Sequence, residues 1–258
     1  MKKLIALLFV AFLALGLVAC AEDEPSYEYG YGVGYGLVHG HYVGVAKVVL
    51  DKDDKVVNVQ FEEYYLPYNI GQVAYTPVEG VAQPADILTV VGSRGTSYYA
   101  MYVSVNGVLF TGAVAGEAGA QSIGYTATGV GNIETWVETE ANAMAYVEAV
   151  EAGLVFIANA NGTKSAYEFG NASVKRGFTK SATAYWANAA SYPLGWGGNM
   201  AAMAEAMVGT KLDAAEADLV KDGTWKIGTI VTGATLSDFV DYYLLAQRAY
   251  ANALAGKK

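Results

Sequence analysis

The chain predicts an α+β fold, mostly antiparallel β-hairpins with helices packed against them, and three observations lead there. Two stretches alternate in β fashion around polar or Asn-Gly turns. Later stretches carry apolar residues at helical spacing, with cap residues at their ends. Strands and helices do not follow one another with the regular alternation that a doubly wound parallel sheet requires.

Taken in order, residues 1–20 read MKKLIALLFVAFLALGLVAC: two lysines, an apolar run from Leu4 to Leu17, then small residues. The run is short for a bilayer span and has the layout of a secretory signal. Its LVAC ending resembles the lipobox of bacterial lipoproteins, which implies a signal peptide over 1–19 and lipid on Cys20. An ordinary secretory signal or an uncleaved anchor is the alternative. Residues 20–36 are acidic and then Tyr/Gly-rich, and are expected to form a flexible tether before a domain over 37–258, an edge strand being the alternative for the Tyr/Gly alternation. A division of that domain into lobes at about 37–190 and 191–258 stays open.

The domain begins with a hairpin. Val43, Val45 and Lys47 alternate with Gly44, Ala46 and Val48; residues 51–55 are a polar turn; Val56, Val57, Val59 and Phe61 return. Asn106-Gly107 divides a second pair of β-rich runs, a strong hairpin signal. Asn132 can cap a helix closed by Gly153, with Ile133, Trp136, Val137, Met144, Val147 and Val150 on one face. A short strand and an Asn161-Gly162 turn follow. Helices are expected over 199–209, over 213–221 and from about Ser237 onward, and a short one over 184–192 stopped by Pro193. Met200, Met203 and Met207 read as core packing rather than a metal box.

Composition excludes several chemistries. The formal net charge is −9, which makes nucleic acid and anionic headgroups poor partners. Attachment to a membrane would have to come from lipid on Cys20. Cys20 is the only cysteine, so neither a disulfide nor a thiolate metal site is available. With two histidines and no Gly-x-Ser-x-Gly, no hydrolase triad emerges. His39 and His41 would share a face of a strand and could meet one ion, yet ordinary surface histidines are the favoured reading, and no metal is expected. Glu62, Glu63 and the acids of the 51–54 turn read as solvated hairpin charges. Twenty tyrosines offer amphipathic contacts to sugars or partner proteins.

Near the C-terminus, Thr232-Gly233-Ala234-Thr235 ends a β-type run and leads towards the last helix. Turn and N-cap chemistry accounts for such residues on its own. The four also resemble the flavinylation motif of the FMN-binding domain family, shared by the C subunit of the sodium-pumping NADH:quinone reductase and the G subunit of the Rnf complex. There a flavin transferase esterifies the phosphate of FMN to the last threonine, which here is Thr235. Small Gly233 and Ala234 admit close approach, and a helix entrance favours a phosphodiester. Thr229 stands where the family usually carries an aspartate.

Together with GYGLVHGHYVGVAKVV, GFTKSATAYW and YPLGWGGNM, the motif makes the chain similar to membrane-anchored, FMN-binding lipoproteins. The resemblance implies covalent FMN on Thr235 and an electron carrier outside the cytoplasmic membrane. No side chain is needed as acid, base or nucleophile. The implied partners are a flavin transferase, a membrane redox complex and an extracytoplasmic electron acceptor. Thr183, in KSAT, would be a second attachment point, and Tyr185 or Trp186 could stack on the ring. The contrasting expectation is a cofactor-free surface lipoprotein that binds a ligand or partner protein.

Overall fold

The structure, a computed structural model, describes residues 29–183, 185 and 192–257. It is α+β with antiparallel sheets throughout. β1 (Gly30–Val38), β2 (Tyr42–Leu50) and β3 (Val56–Tyr65) form a three-stranded meander. A single turn of helix, α1 (Pro67–Ile70), leads to the hairpin β4 (Ile87–Gly92) and β5 (Gly95–Ala100). β6 (Tyr102–Val105), β7 (Val108–Ala115), β8 (Ser122–Ala127) and β9 (Gly131–Asn132) follow. After α2 (Ile133–Trp136) and α3 (Glu140–Glu151), β10 (Val155–Ile157) completes a five-stranded sheet of order β10-β6-β7-β8-β9. α4 (Gly195–Met207), the small sheet β11 (Leu219–Asp222), β12 (Thr224–Ile227) and β13 (Ile230–Val231), and α5 (Phe239–Gly256) end the fold.

The stretch assigned to a tether differs most from expectation. Residues 30–36 belong to β1, which pairs with β2 along its whole length. Gly30, Gly32, Gly34 and Gly36 all face α5. A Cβ on Gly32 would stand 2.1 Å from the carbonyl oxygen of Ala249, and one on Gly34 2.6 Å from that of Leu245. Ala246, Ala249 and Ala253 of α5 are fully buried against this strip. Helix and strand therefore meet backbone to backbone, and only glycine admits that approach. On the opposite face of the sheet lies α3, where the Tyr64 hydroxyl donates to Glu151 at 2.8 Å. One main core draws buried residues from Val38 through to Ala253, so segments on both sides of residue 190 share it.

Local signals account for several elements. Asn106 and Gly107 both have positive φ, 48° and 81°, and join β6 to β7 as a two-residue turn. Asn132 caps α2 by accepting from the Thr135 N–H at 3.2 Å. The helix expected over 132–153 is broken, however, because Thr139 caps a second one by accepting from Asn142 at 3.4 Å. Met144 is consequently 40% exposed rather than core. Met200, Met203 and Met207 are buried as core, and α4 begins at Gly195, earlier than expected. The helix expected over 213–221 shrinks to a 3-10 turn, Glu216–Asp218. Its last residues, from Leu219, belong to β11, because pairing with β12 around Gly223 (φ 70°) overrides the helical preference of the Ala/Glu run. Among the described residues no helix is long and apolar enough to cross a membrane. Cys20, Trp186 and the short helix expected over 184–192 lie largely or wholly outside the described residues.

Candidate functional site

The 232–235 turn explains three of its four residues by folding alone. The Thr232 hydroxyl donates to the Trp225 carbonyl at 2.9 Å and accepts from the Ala234 N–H at 3.0 Å. Gly233 has φ 76°, a left-handed conformation that glycine adopts at no steric cost. Ala234 is completely buried, and its carbonyl accepts from Trp225 N–H at 2.9 Å. Thr235 is held differently. Its N–H donates to Asn199 Oδ1 at 2.7 Å, as does that of Leu236 at 3.2 Å, while its hydroxyl makes only a long contact of 3.4 Å to the same oxygen. Asn199, on α4, is itself fully buried. From the other side Lys221 Nζ donates to the Thr235 carbonyl at 3.0 Å, and Trp225 Nε1 donates to the Leu236 carbonyl at 2.6 Å. The backbone at Thr235 is clamped while its half-buried hydroxyl is weakly engaged.

The last helix starts at Phe239, one turn beyond Thr235, with Asp238 as N-cap and Asp241 in its first turn. The N–H groups of residues 235 and 236 are already taken by Asn199. Positive charge for an anion at Thr235 therefore resides on Lys221 rather than on a helix end. β11 puts Lys221 there, and sequence reasoning, having assigned that stretch to a helix, missed it.

Residues 236–238 form one wall of a cavity of about 290 Å³. Tyr185, Tyr192, Trp196 and Tyr242 supply aromatic walls, and Lys180 and His39 complete it. Below lies a buried polar cluster. Glu63 is fully buried and Lys180 only 4% exposed. Their charged atoms, Oε2 and Nζ, are 2.5 Å apart as an ion pair. Glu63 Oε1 accepts from both Trp196 Nε1 and the Tyr242 hydroxyl. The Lys180 ammonium also lies 3.8 Å from the centre of the Tyr42 ring and 4.7 Å from that of Tyr185, cation–π distances. Glu63 is thus no solvated hairpin charge. It shares a face of β3 with Val59, Phe61 and Tyr65, and that period of two was the available signal. Glu62, one residue earlier, points the other way and accepts from Ser181 N–H at 3.1 Å.

No family model, no curated protein and no solved structure matches the chain. What the site can do must be read from its own groups.

Thr183 is 5% exposed, with its hydroxyl bonded to the Lys180 carbonyl at 3.0 Å and to the Tyr65 hydroxyl at 3.2 Å. That engagement argues against a second attachment point. His39 and His41 occupy the β1–β2 turn rather than a strand, and their side chains have different partners. His39 pairs with Asp238, while His41 stacks on Tyr68 at 5.8 Å. Among the described residues no group of three metal-ligating side chains gathers.

Burial holds the site's phenols in their neutral form. Tyr242 is raised by desolvation, and then by the charge of Glu63 and its hydrogen bond to it. Tyr42 is raised by desolvation and by its bond to Tyr185. Tyr192 is pushed up to about 12 by desolvation first, then by Glu63 and Asp238. Tyr99 reaches about 12, chiefly through desolvation. The unfolded chain releases these protons near pH 10 while the folded chain retains them, so the folded state binds more protons above that point. Stability from this source is complete below about pH 10; the share of Tyr192 and Tyr99 is lost as pH rises towards about 12, and that of Tyr42 and Tyr242, raised further, goes on falling above it. Urea midpoints measured from pH 9 to 12 are expected to fall progressively across the upper part of that range.

Proposed function

We propose that this chain is an extracytoplasmic, membrane-anchored flavoprotein that carries FMN through a phosphoester on Thr235. It would pass electrons between a membrane dehydrogenase and an extracytoplasmic acceptor, with lipid on Cys20 as the anchor and a flavin transferase as the maturation partner. The observation that carries the reading is the arrangement at Thr235. A clamped backbone carries a weakly bonded hydroxyl, the Lys221 ammonium donates to the carbonyl of the same residue, and the next three residues, 236–238, line a cavity with aromatic walls.

The residues present fit the group. Lys221 would neutralise phosphate charge, and Asn199 fixes the acceptor backbone. Tyr185, Tyr192 and Trp196 offer faces and edges to a planar ring, with Lys180 as a cation at its side. FMN, when bound, supplies one- and two-electron chemistry at a potential set by its surroundings. The protein's part is to bind, orient and limit water; the polar side chains of the cavity lining are Tyr185, Tyr192, Ser237, Asp238 and His39, with Tyr242 and Lys180 held by Glu63.

The test is co-production with an active flavin transferase, followed by intact-mass measurement and in-gel fluorescence after denaturation. One FMN per chain is expected, absent from Thr235→Ala and retained in Thr183→Ala. Lys221→Ala is expected to lower the labelled fraction several-fold without abolishing it. A bare Thr235 in peptide maps of wild-type material would end the proposal.

A further inference from the structure

A second cavity is a groove of about 670 Å³ between the β4–β5 hairpin, α1 and the loop that follows residue 170. It meets the first cavity only at His39 and Tyr185. We propose that this groove is a binding site for a carbohydrate, a mono- or disaccharide bearing at most one acid group. The inference does not depend on FMN at Thr235.

Ring faces come first. Tyr68 lies at the groove with Tyr99, ring centres 6.2 Å apart and tilted by 33°, and His41 backs Tyr68 in a stack. These two ring contacts hold Tyr68 in place at the groove, where it and Tyr99 offer aromatic surface to the apolar face of a sugar.

Amides come second. Asn69, Gln72, Gln121 and Asn171 all line the groove. Each amide both donates and accepts, which matches the alternating demands of vicinal hydroxyls. Their geometry is partly set in advance. Gln121 Oε1 accepts from the Val91 N–H at 2.8 Å, and Asn69 Oδ1 accepts from Asn171 at 3.3 Å. Asn69 is only 9% exposed, yet its Nδ2 finds no hydrogen-bond acceptor among the described residues. A buried donor left in that state costs about 1–3 kcal/mol, so an acceptor supplied by a ligand is the expected completion.

Charge then narrows the class. Among the described residues no carboxylate lines the groove, which disfavours a cationic ligand, and Arg94 is the one Lys or Arg of the lining. A polyphosphate would require more positive charge. The lining is more polar than apolar, which disfavours a lipid or a bare aromatic. A neutral or singly acidic polyol with an apolar ring face satisfies all of these conditions.

Calorimetric titration of the full mature chain with maltose, N,N′-diacetylchitobiose and glucuronic acid tests the proposal. At least one sugar is expected to bind with a Kd below about 10 mM. Tyr68→Ala should weaken that binding about tenfold or more. Thr235→Ala should leave it unchanged. Ser97→Trp, which fills the half-buried rim without touching the core, should block it even if Tyr68→Ala folds poorly. No heat from any of the three sugars overturns the site, as does affinity that survives Ser97→Trp intact. Free FMN displacing a bound sugar would also overturn it, by assigning the groove to the flavin.

Discussion

Gly32→Ala is expected to destabilise the fold by about 4 kcal/mol or more, read as a lowered urea midpoint. The added Cβ would sit 2.1 Å from the Ala249 carbonyl oxygen, 2.3 Å from the Ala253 nitrogen and 2.8 Å from its Cα. All three are backbone atoms of α5, so no rotamer change relieves the clash; the helix must lift from β1 along a core seam. A reduced unfolded-state entropy would return only about 0.4–1 kcal/mol. Neighbouring glycines set the scale. Gly34→Ala should behave similarly, with the backbone of Leu245 and Ala249 at 2.6 and 2.7 Å. At Gly36 the nearest atom is the Arg248 guanidinium at 2.9 Å, the far end of a mobile side chain, and Gly36→Ala should cost well under about 1 kcal/mol. Gly40 has open space but φ 64°, so its alanine variant should lose about 1 kcal/mol through backbone strain alone. If Gly32→Ala and Gly36→Ala proved equal, the close seam would not exist in solution.

That same seam shows why part of the fold was hidden in the sequence. Glycine disfavours strands, so the Tyr/Gly run has the composition of a tether. Its reason to be a strand is a helix more than two hundred residues further along the chain. Features decided within a few residues were legible: the Asn106-Gly107 turn, the Asn132 cap and the buried methionine spacing of α4. Features decided by partners far away were not, including β11, whose pairing with β12 defeats a helix-forming run. The candidate site divides in the same manner. The Thr232–Thr235 signal is local and could be read. Asn199, thirty-six residues from Thr235, and Lys221, fourteen away, reach it only through topology. Glu63 lay between the two cases, because its strand parity was visible but no partner for a buried carboxylate was.

That carboxylate gives the second large effect. Lys180→Met is expected to cost about 3–5 kcal/mol, since it leaves the buried Glu63 charge without its ion-pair partner. The Trp196 and Tyr242 donors to Oε1 remain, but Oε2 has only the ammonium at 2.5 Å. Glu63→Gln should be milder. The Lys180 ammonium left behind still lies against the Tyr42 and Tyr185 rings, at 3.8 and 4.7 Å, and a glutamine oxygen still accepts from Trp196 and Tyr242. Cation–π attraction at desolvated sites, about 2 kcal/mol or more, offsets part of the lost pairing. Combining the two substitutions removes both formal charges, so the double variant should be more stable than Lys180→Met alone. The coupling should reach about 2 kcal/mol in a double-mutant cycle of urea-derived stabilities. Additive losses would mean that the two groups are solvated separately. The asymmetry between the single variants matters as much as their sum. A carboxylate with one cation is the weaker member of this cluster, whereas the cation has the carboxylate and two rings. Its placement beside the cavity at Leu236 means that loss of Glu63 should leave that cavity more positive while the fold around it survives.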